Sequence, residues 1–284
     1  MQQPHRHRRK KNTAQLVVPL LLAALAVFLL LRWLSGSSTQ GNYTQTGALP
    51  SADESTAQMV ESWPGTAPYI IAVDSGHGGQ DTGASGLLDE LEVTVPTAEY
   101  LIEWLEQDEN FTPIRTHEAD VFAKPAERRE AAQNAGAKLL FSIHGNANTD
   151  STQLAGFEIY TENKNKPFSA QSYALAQQLA NAFTAAGHTP QAGSGIFYCH
   201  YEGSDESGYD KFTVPEAKEQ EYALTGQSFG VLESDQMPAV LVEQGYLTNA
   251  SDVATWLSTE GCKKAARLYY ESICALFGTQ PIAQ

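Results

Sequence analysis

The amino-acid sequence predicts an α/β fold: a single three-layer domain with a twisted, mainly parallel sheet covered by helices on both faces, after an N-terminal transmembrane helix. Short apolar runs alternate along the chain with segments of helical pattern, as in a parallel sheet with crossover helices. The apolar runs are continuous, which is typical of strands buried on both faces. Hydrophobic residues make up 42% of the 284 positions and charged residues 18%, which allows a packed core.

The elements of the domain follow in a regular order. The first strand, YIIAVD, is an apolar run that ends in a glycine-rich turn, and the last strand, AVLVE, ends in a glutamate. The helices are indicated by leucines spaced four residues apart or by Ala-rich composition. The predicted strands cover residues 69–74, 111–115, 138–143, 156–160 and 239–243. The predicted helices cover residues 93–106, 125–136, 170–186, 249–257 and 261–277.

The first 34 residues predict a cytoplasmic basic tail followed by a transmembrane signal-anchor. Five basic residues stand between positions 6 and 11, and residues 16–31 carry no charge. With residues 32–34 this run spans roughly 28 Å as a helix, close to the thickness of a membrane core. The basic side stays cytoplasmic, so the rest of the chain is expected outside the cell. A cleaved signal peptide is the alternative, and it would leave a secreted protein.

Residues 35–68 predict a flexible linker because they are rich in Ser, Thr, Gly and Gln. Residues 69–278 are then expected to form the folded domain. The chain holds 33 acidic and 18 basic residues, a formal charge of −15, which excludes a general nucleic-acid binder. Its three cysteines do not indicate a disulfide framework, because Cys262 and Cys274 fall on one predicted helix, too far apart to bond.

Chemically active side chains are expected where three of the predicted strands end. His77 follows the first strand, His144 follows the third, and Glu243 ends the last. Ligands bind beyond the carboxyl ends of strands in open α/β sheets, so these residues are candidates for one cleft. Two imidazoles and a carboxylate form the three-ligand pattern of catalytic zinc. A single histidine after a strand is more often a surface or hydrogen-bonded residue than a metal ligand.

Three motifs together carry a resemblance to a known family. They are VDSGHGGQDTGASG, FSIHGNAN and PAVLVEQGYLTN, in this order. The sequence resembles the zinc-dependent N-acetylmuramoyl-L-alanine amidases (amidase type 3) over residues 69–278. This resemblance implies that His77, Glu90 and His144 bind Zn²⁺ and that Glu243 is catalytic. It also implies the reaction: hydrolysis of the amide between N-acetylmuramic acid and the L-alanine of the peptidoglycan stem peptide.

The sequence departs from the family pattern at two places. The family's ligand Glu is followed four residues later by Asn, whereas Glu90 is followed by Thr94. Glu92 is a nearby competitor, but Glu90 keeps the spacing to the following helix. At the second place the family usually carries Thr-Arg, and here His117 stands in the position of the Arg.

Several further residues admit two interpretations. Asp74 either orients a ligand histidine or caps the turn after the first strand. Arg129 and Asn134 match a downstream family pattern and are expected to order their helix. Residues 191–229 form a long polar connection that either shapes or covers the substrate groove or is a surface excursion.

The resemblance implies peptidoglycan as the partner, in wall remodelling or spore-cortex maturation, from a single-pass position in the cell membrane with the catalytic domain extracellular. A catalytically silent peptidoglycan-binding or scaffold protein with the same fold is the alternative. A different zinc hydrolase is disfavoured because the sequence has no H-E-x-x-H segment.

Overall fold

The computed structural model describes residues 65–204, 208–222, 224 and 226–283. The predicted anchor at 1–34 and nearly all of the predicted linker at 35–68 therefore lie outside the described residues. Among the helices that the structure does describe, none has the length and apolar character needed to cross a membrane.

The described part of the chain alternates strands and helices, as the sequence predicts. The strands are β1 (Tyr69–Ser75), β2 (Phe111–Arg115), β3 (Leu139–Asn146), β4 (Glu158–Thr161), β5 (Ile196–Ser204), β6 (Gly208–Pro215) and β7 (Ala239–Tyr246). The helices are α1 (Leu91–Glu106), α2 (Pro125–Asn134), α3 (Ser169–Ala185), α4 (Ala250–Thr255) and α5 (Thr259–Phe277), with short 3₁₀ helices at Glu216–Glu221 and Gly230–Leu232. Strands β3 and β7 run further than predicted, so His144 lies within β3 and not beyond it, and Glu243 lies inside β7 and not at its end.

The strands form one seven-stranded sheet in the order β2-β1-β3-β7-β4-β5-β6. The prediction of a mainly parallel sheet holds for four of the six strand pairs, and two antiparallel pairs make the sheet mixed. Neighbours from β2 to β7 pair in parallel, as do β4 and β5, whereas β4–β7 and β5–β6 are antiparallel. The antiparallel β4–β7 contact arises because the chain reaches β4 directly from the loop after β3, with no crossover helix between them.

A hydrophobic core lies on each side of the sheet, which confirms the three-layer arrangement. One core joins alternate strand residues to α1, α3 and α5. The other joins the opposite strand face to α2 and the 3₁₀ helix at Gly230–Leu232. Cys199, Cys262 and Cys274 are buried in these cores as free thiols.

The segment at 191–229 is not the irregular connection that the sequence suggested. Its first half is the antiparallel hairpin β5–β6, which extends the sheet at one edge. The run IFYCHY of β5 carries the aromatic and branched residues that favour a strand, but the Gly and acidic residues around it hide that signal.

Glu162 follows β4 and is fully buried. The Ser172 hydroxyl donates to its Oε2 at 2.8 Å, and its Oε1 has no hydrogen-bond partner among the described residues. Burial raises the pKa of Glu162 to about 8, and nearby Asp235 and Glu233 add to this, against the lowering by Ser172 and Lys166. The carboxyl is therefore protonated in the folded protein at pH values where the unfolded chain has already lost the proton.

We expect folding stability to fall as pH rises from about 4.5 towards 8, because the folded state then retains a proton that the unfolded state lacks. The loss should be on the order of 5 kcal/mol, since the pKa of Glu162 rises from 4.5 to about 8 and each pKa unit corresponds to roughly 1.4 kcal/mol. Glu162→Gln should flatten this dependence. Urea unfolding of both proteins at pH 5 and pH 8.5 measures it, and parallel pH profiles would contradict the expectation.

Candidate metal centre

The first histidine is held by the turn that follows β1. His77 has a positive φ of 68°, a conformation that non-glycine residues adopt rarely and that requires support from its surroundings. Its Nδ1 lies 3.0 Å from Asp81 Oδ2, so Nδ1–H donates to the carboxylate. This bond leaves the Nε2 lone pair free to bind a metal. Several acidic residues follow His77 in the sequence, and the structure shows that Asp81 is the one beside its Nδ1.

Glu90 lies at the start of α1 and is buried between the two histidines. Its Oε2 is 3.0 Å from His77 Nε2, and its Oε1 is 2.9 Å from His144 Nδ1. The backbone N–H groups of Ala84 and Gly145 also donate to these oxygens, at 2.8 and 3.1 Å. The two histidines lower the pKa of Glu90 far below its ordinary value, although burial alone would raise it. The carboxylate is therefore ionised.

The structure brings the three residues that the sequence predicts as ligands into one group. His77, Glu90 and His144 each offer a ligand atom, and these atoms lie within 4.8 Å of one another. Close backbone approach makes this possible, because a Cβ at Gly76 would stand 2.4 Å from the His144 ring. Two imidazole nitrogens and a carboxylate match the donor set of a divalent zinc site, so the residues present fit that metal.

Glu243 stands beside this group on the neighbouring strand. In the β3–β7 ladder it is paired directly with His144. Its side chain is half-buried, and its Oε2 has no hydrogen-bond partner among the described residues. Together with the three candidate ligands it lines a cleft of about 380 Å³. A carboxylate in this position can reach a small molecule in the cleft without being needed to hold the metal.

A second acid, Glu158, faces Glu243 across the β4–β7 ladder and was not singled out from the sequence. It is buried, and the hydroxyls of Tyr160 and Tyr246 donate to its two oxygens at 2.6 and 2.5 Å. Burial and the charges of Glu90 and Glu158 raise the pKa of Glu243 well above its ordinary value. The pattern E-x-Y in GFEIY was the signal that could have identified this pair.

The structure distinguishes Glu90 from Glu92 as the candidate carboxylate ligand. Glu92 is exposed and accepts the Asp89 N–H at 2.8 Å, so it orders the start of α1. Thr94, which stands where the family has Asn, is buried, and its hydroxyl donates to the Gly76 carbonyl at 3.1 Å. The threonine thus supports the turn that carries His77 and leaves the metal group intact.

Asp74 contacts neither ligand histidine, so its suggested part in orienting one of them is wrong. Its oxygens accept from the hydroxyls of Thr116 and Ser142 at 2.5 and 2.7 Å. Arg128 Nη1 lies 3.3 Å from it and also donates to the Ser75 carbonyl at 2.8 Å. Asp74 therefore ties the end of β1 to Thr116, Ser142 and Arg128.

Arg128 supports the turn that carries His77, although the sequence pattern indicated Arg129 and Asn134 instead. It is buried, and its Nη2 donates to the His77 carbonyl at 2.6 Å. His117 Nε2 binds the Ser75 carbonyl at 2.9 Å, so it supports the same turn. Arg129 donates to the Gly230 carbonyl at 2.5 Å, and Asn134 is the last residue of α2.

The segment at 191–229 contributes one wall of the cleft through Tyr201 and Phe229. Three of its described acidic side chains bind partners away from the metal group. Glu202 lies 3.0 Å from His200 Nε2, Glu216 accepts from Ser194 at 2.6 Å, and Glu219 accepts from Lys164 at 2.5 Å. The segment thus shapes the groove with aromatic side chains.

Comparison with known proteins bears on this geometry. The family described as N-acetylmuramoyl-L-alanine amidase matches residues 71–275, which include every residue of the metal group and Glu243. The chain belongs to this amidase family. The assignment agrees with the resemblance carried by the three sequence motifs.

Similar amidases occur in several bacteria. LytC of Bacillus subtilis, named an N-acetylmuramoyl-L-alanine amidase, is 27% identical over 87% of this chain and 42% of its own length. AmiC of Escherichia coli, also named an N-acetylmuramoyl-L-alanine amidase, is 27% identical over 65% of this chain and 47% of its own length. The chain thus spans less than half the length of these two relatives. The uncharacterized YqiI of B. subtilis is 29% identical over 74% of this chain and 84% of its own length.

Solved amidase structures share the fold. AmiC2 of Nostoc punctiforme superposes with a TM-score of 0.58 at 25% identity, covering 75% of this chain and 99% of that one. The catalytic domain of CwlV from Paenibacillus polymyxa superposes with a TM-score of 0.57 at 24% identity, covering the same shares.

Proposed function

We propose that this amidase family member is a zinc-dependent N-acetylmuramoyl-L-alanine amidase, which hydrolyses the amide between N-acetylmuramic acid and the L-alanine of the stem peptide. The observation that carries the proposal is the convergence of His77, Glu90 and His144 within 4.8 Å, beside Glu243 in one cleft. This convergence lies in a chain that matches the family over residues 71–275.

His77, Glu90 and His144 would hold the zinc ion. Asp81 keeps the His77 proton on Nδ1, so that Nε2 faces the metal. The N–H groups of Ala84 and Gly145 hold the Glu90 carboxylate in place. A zinc ion held there would supply a Lewis acid, which polarises a carbonyl group and lowers the pKa of water so that a nucleophilic hydroxide can form.

Glu243 moves the proton. Its carboxylate takes a proton from the attacking water and passes it to the departing amide nitrogen, which becomes the amine of L-alanine. The charges of Glu90 and Glu158 favour proton uptake by Glu243 because they raise its pKa. Tyr160 and Tyr246 keep Glu158 in place by their hydrogen bonds.

Digestion of purified peptidoglycan, followed by mass spectrometry with and without a zinc chelator, tests the proposal. Released stem peptides with a free N-terminal L-alanine are expected, and the chelator should abolish them. Acetate release would indicate a deacetylase instead. Binding to peptidoglycan without any product would favour the silent scaffold protein.

We further propose that the domain works outside the cell from a membrane anchor, in wall remodelling such as spore-cortex maturation. The support is the basic cluster before an apolar run of sixteen residues. We expect the purified mature protein to retain residues 1–34 and its extracellular domain to be digested by protease added to intact protoplasts. N-terminal sequencing measures the first point, and a mature chain that begins after residue 34 would contradict the anchor.

A further inference from the structure

The β5–β6 hairpin places a cation on the wall of the cleft. Tyr201 of β5 lines the cleft and is paired directly with Lys211 of β6. Directly opposed residues in an antiparallel pair project from the same face of the sheet. Lys211 therefore lies on the cleft side of the hairpin. Its Nζ stands 5.4 Å from the ring centroid of Phe229, which also lines the cleft.

The charge of Lys211 is available to a ligand. The lysine is exposed and takes part in no salt bridge within the described residues, whereas Lys164 and Lys166 bind Glu219 and Glu233. The acidic pair Glu202–Asp210 is adjacent in the hairpin but projects from the opposite face, because successive side chains alternate.

Two arginines near the cleft, Arg128 and Arg129, already bind groups of the protein itself. Arg128 binds Asp74 and the carbonyls of Ser75 and His77, and Arg129 binds the Gly230 carbonyl. Neither guanidinium therefore needs a ligand to satisfy it. Lys211, in contrast, lies beside Tyr201 and Phe229, which both line the cleft.

The remaining charges in the cleft are unfavourable for an acidic substrate. Asp81, Glu90 and Glu243 all line it. The stem peptide carries free carboxyl groups beyond its L-alanine, so carboxylates of substrate and protein repel each other unless a cation lies between them. The metal offsets part of this charge at the scissile bond, and a cation on the wall is needed further along the peptide.

We propose that Lys211 is a specificity-determining residue that binds a free carboxylate of the stem peptide and so favours stems with free carboxyl groups over amidated ones. This inference rests on the proposed amidase function. Phe229 contributes by packing against the lysine, which restricts its side chain to the cleft wall.

The test compares two peptidoglycan preparations: one with free stem carboxyl groups and one amidated with carbodiimide and ammonium chloride. The zinc-loaded full chain, wild type or variant, is mixed with each preparation. Co-sedimentation measures the apparent Kd. Mass spectrometry measures the rate at which stem peptides with a free N-terminal L-alanine are released. Lys211→Met removes the charge, and Lys211→Arg keeps it. Lys218→Met, on the exposed face of the 3₁₀ helix Glu216–Glu221, is the matched control for loss of one positive charge in the same segment.

The wild type and Lys211→Arg should bind the free-carboxyl preparation roughly two- to fivefold more tightly than the amidated one, as expected for one exposed charge contact. Lys211→Met should lose this preference, with its zinc content unchanged, and Lys218→Met should keep it. Equal binding of both preparations by the wild type, or a preference that survives in Lys211→Met, would overturn the inference. Absence of released stem peptides from both preparations would contradict the proposed function. The ratio of the Kd values for the two preparations would still decide the role of Lys211.

Discussion

Glu243→Gln should leave a folded, zinc-loaded protein that hydrolyses peptidoglycan roughly 10²–10⁴-fold more slowly, the usual contribution of a general acid–base group. Glutamine keeps the size of the side chain but cannot accept a proton from water. Because the carboxylate lies beside the metal group and is not part of it, zinc content should stay at one equivalent per chain. The rate of stem-peptide release measures the loss of activity, and metal analysis of the same sample measures the zinc content.

The folded state of this variant provides an independent check. Oε2 of Glu243 has no hydrogen-bond partner among the described residues, and Glu90 and Glu158 are both close enough to repel its charge. Glutamine removes an acid whose charged form is disfavoured there, so the melting temperature should be equal to or above that of the wild type. Glu202→Gln, on the far face of the β5–β6 hairpin, is the matched control and should keep wild-type activity. Near-wild-type hydrolysis by zinc-loaded Glu243→Gln would rule out the proposed proton transfer.

His144→Ala should lose zinc and activity together. His144 supplies one of three protein ligands, and its Nδ1 also contacts Glu90 Oε1 at 2.9 Å. Loss of a ligand should weaken zinc binding by more than the roughly 10–100-fold that loss of an outer partner costs. Competition with a coloured chelator measures the zinc affinity, and circular dichroism checks that the fold is intact.

The matched control for this variant is Glu92→Gln. Glu92 is an acid two residues from Glu90, but it is exposed and accepts a backbone N–H that a glutamine oxygen can also accept. It should therefore bind zinc like the wild type. One full equivalent of tightly bound zinc in His144→Ala would show that the ligand assignment is incorrect.

The sequence predicted much of the fold and of the candidate site because both leave local patterns. Apolar runs indicate β1, β2, β3 and β7 where the structure has them, and the predicted helices are all present. The histidines and Glu90 could be named in advance because they stand in short motifs of characteristic spacing. The hairpin β5–β6 was missed because its strands contain and adjoin glycine and acidic residues, which indicate a loop.

The sequence by itself thus determined the order of the elements and the residue types available for the metal and the proton. The tertiary structure alone decided which side chains meet. Strand β7, the last in the chain, lies in the middle of the sheet between β3 and β4, and this pairs Glu243 with both His144 and Glu158. The contact of Tyr246 with Glu158 joins residues 88 positions apart. Such contacts depend on strand order and register, which result from packing of the whole sheet against its two cores and leave no mark in the neighbouring residues.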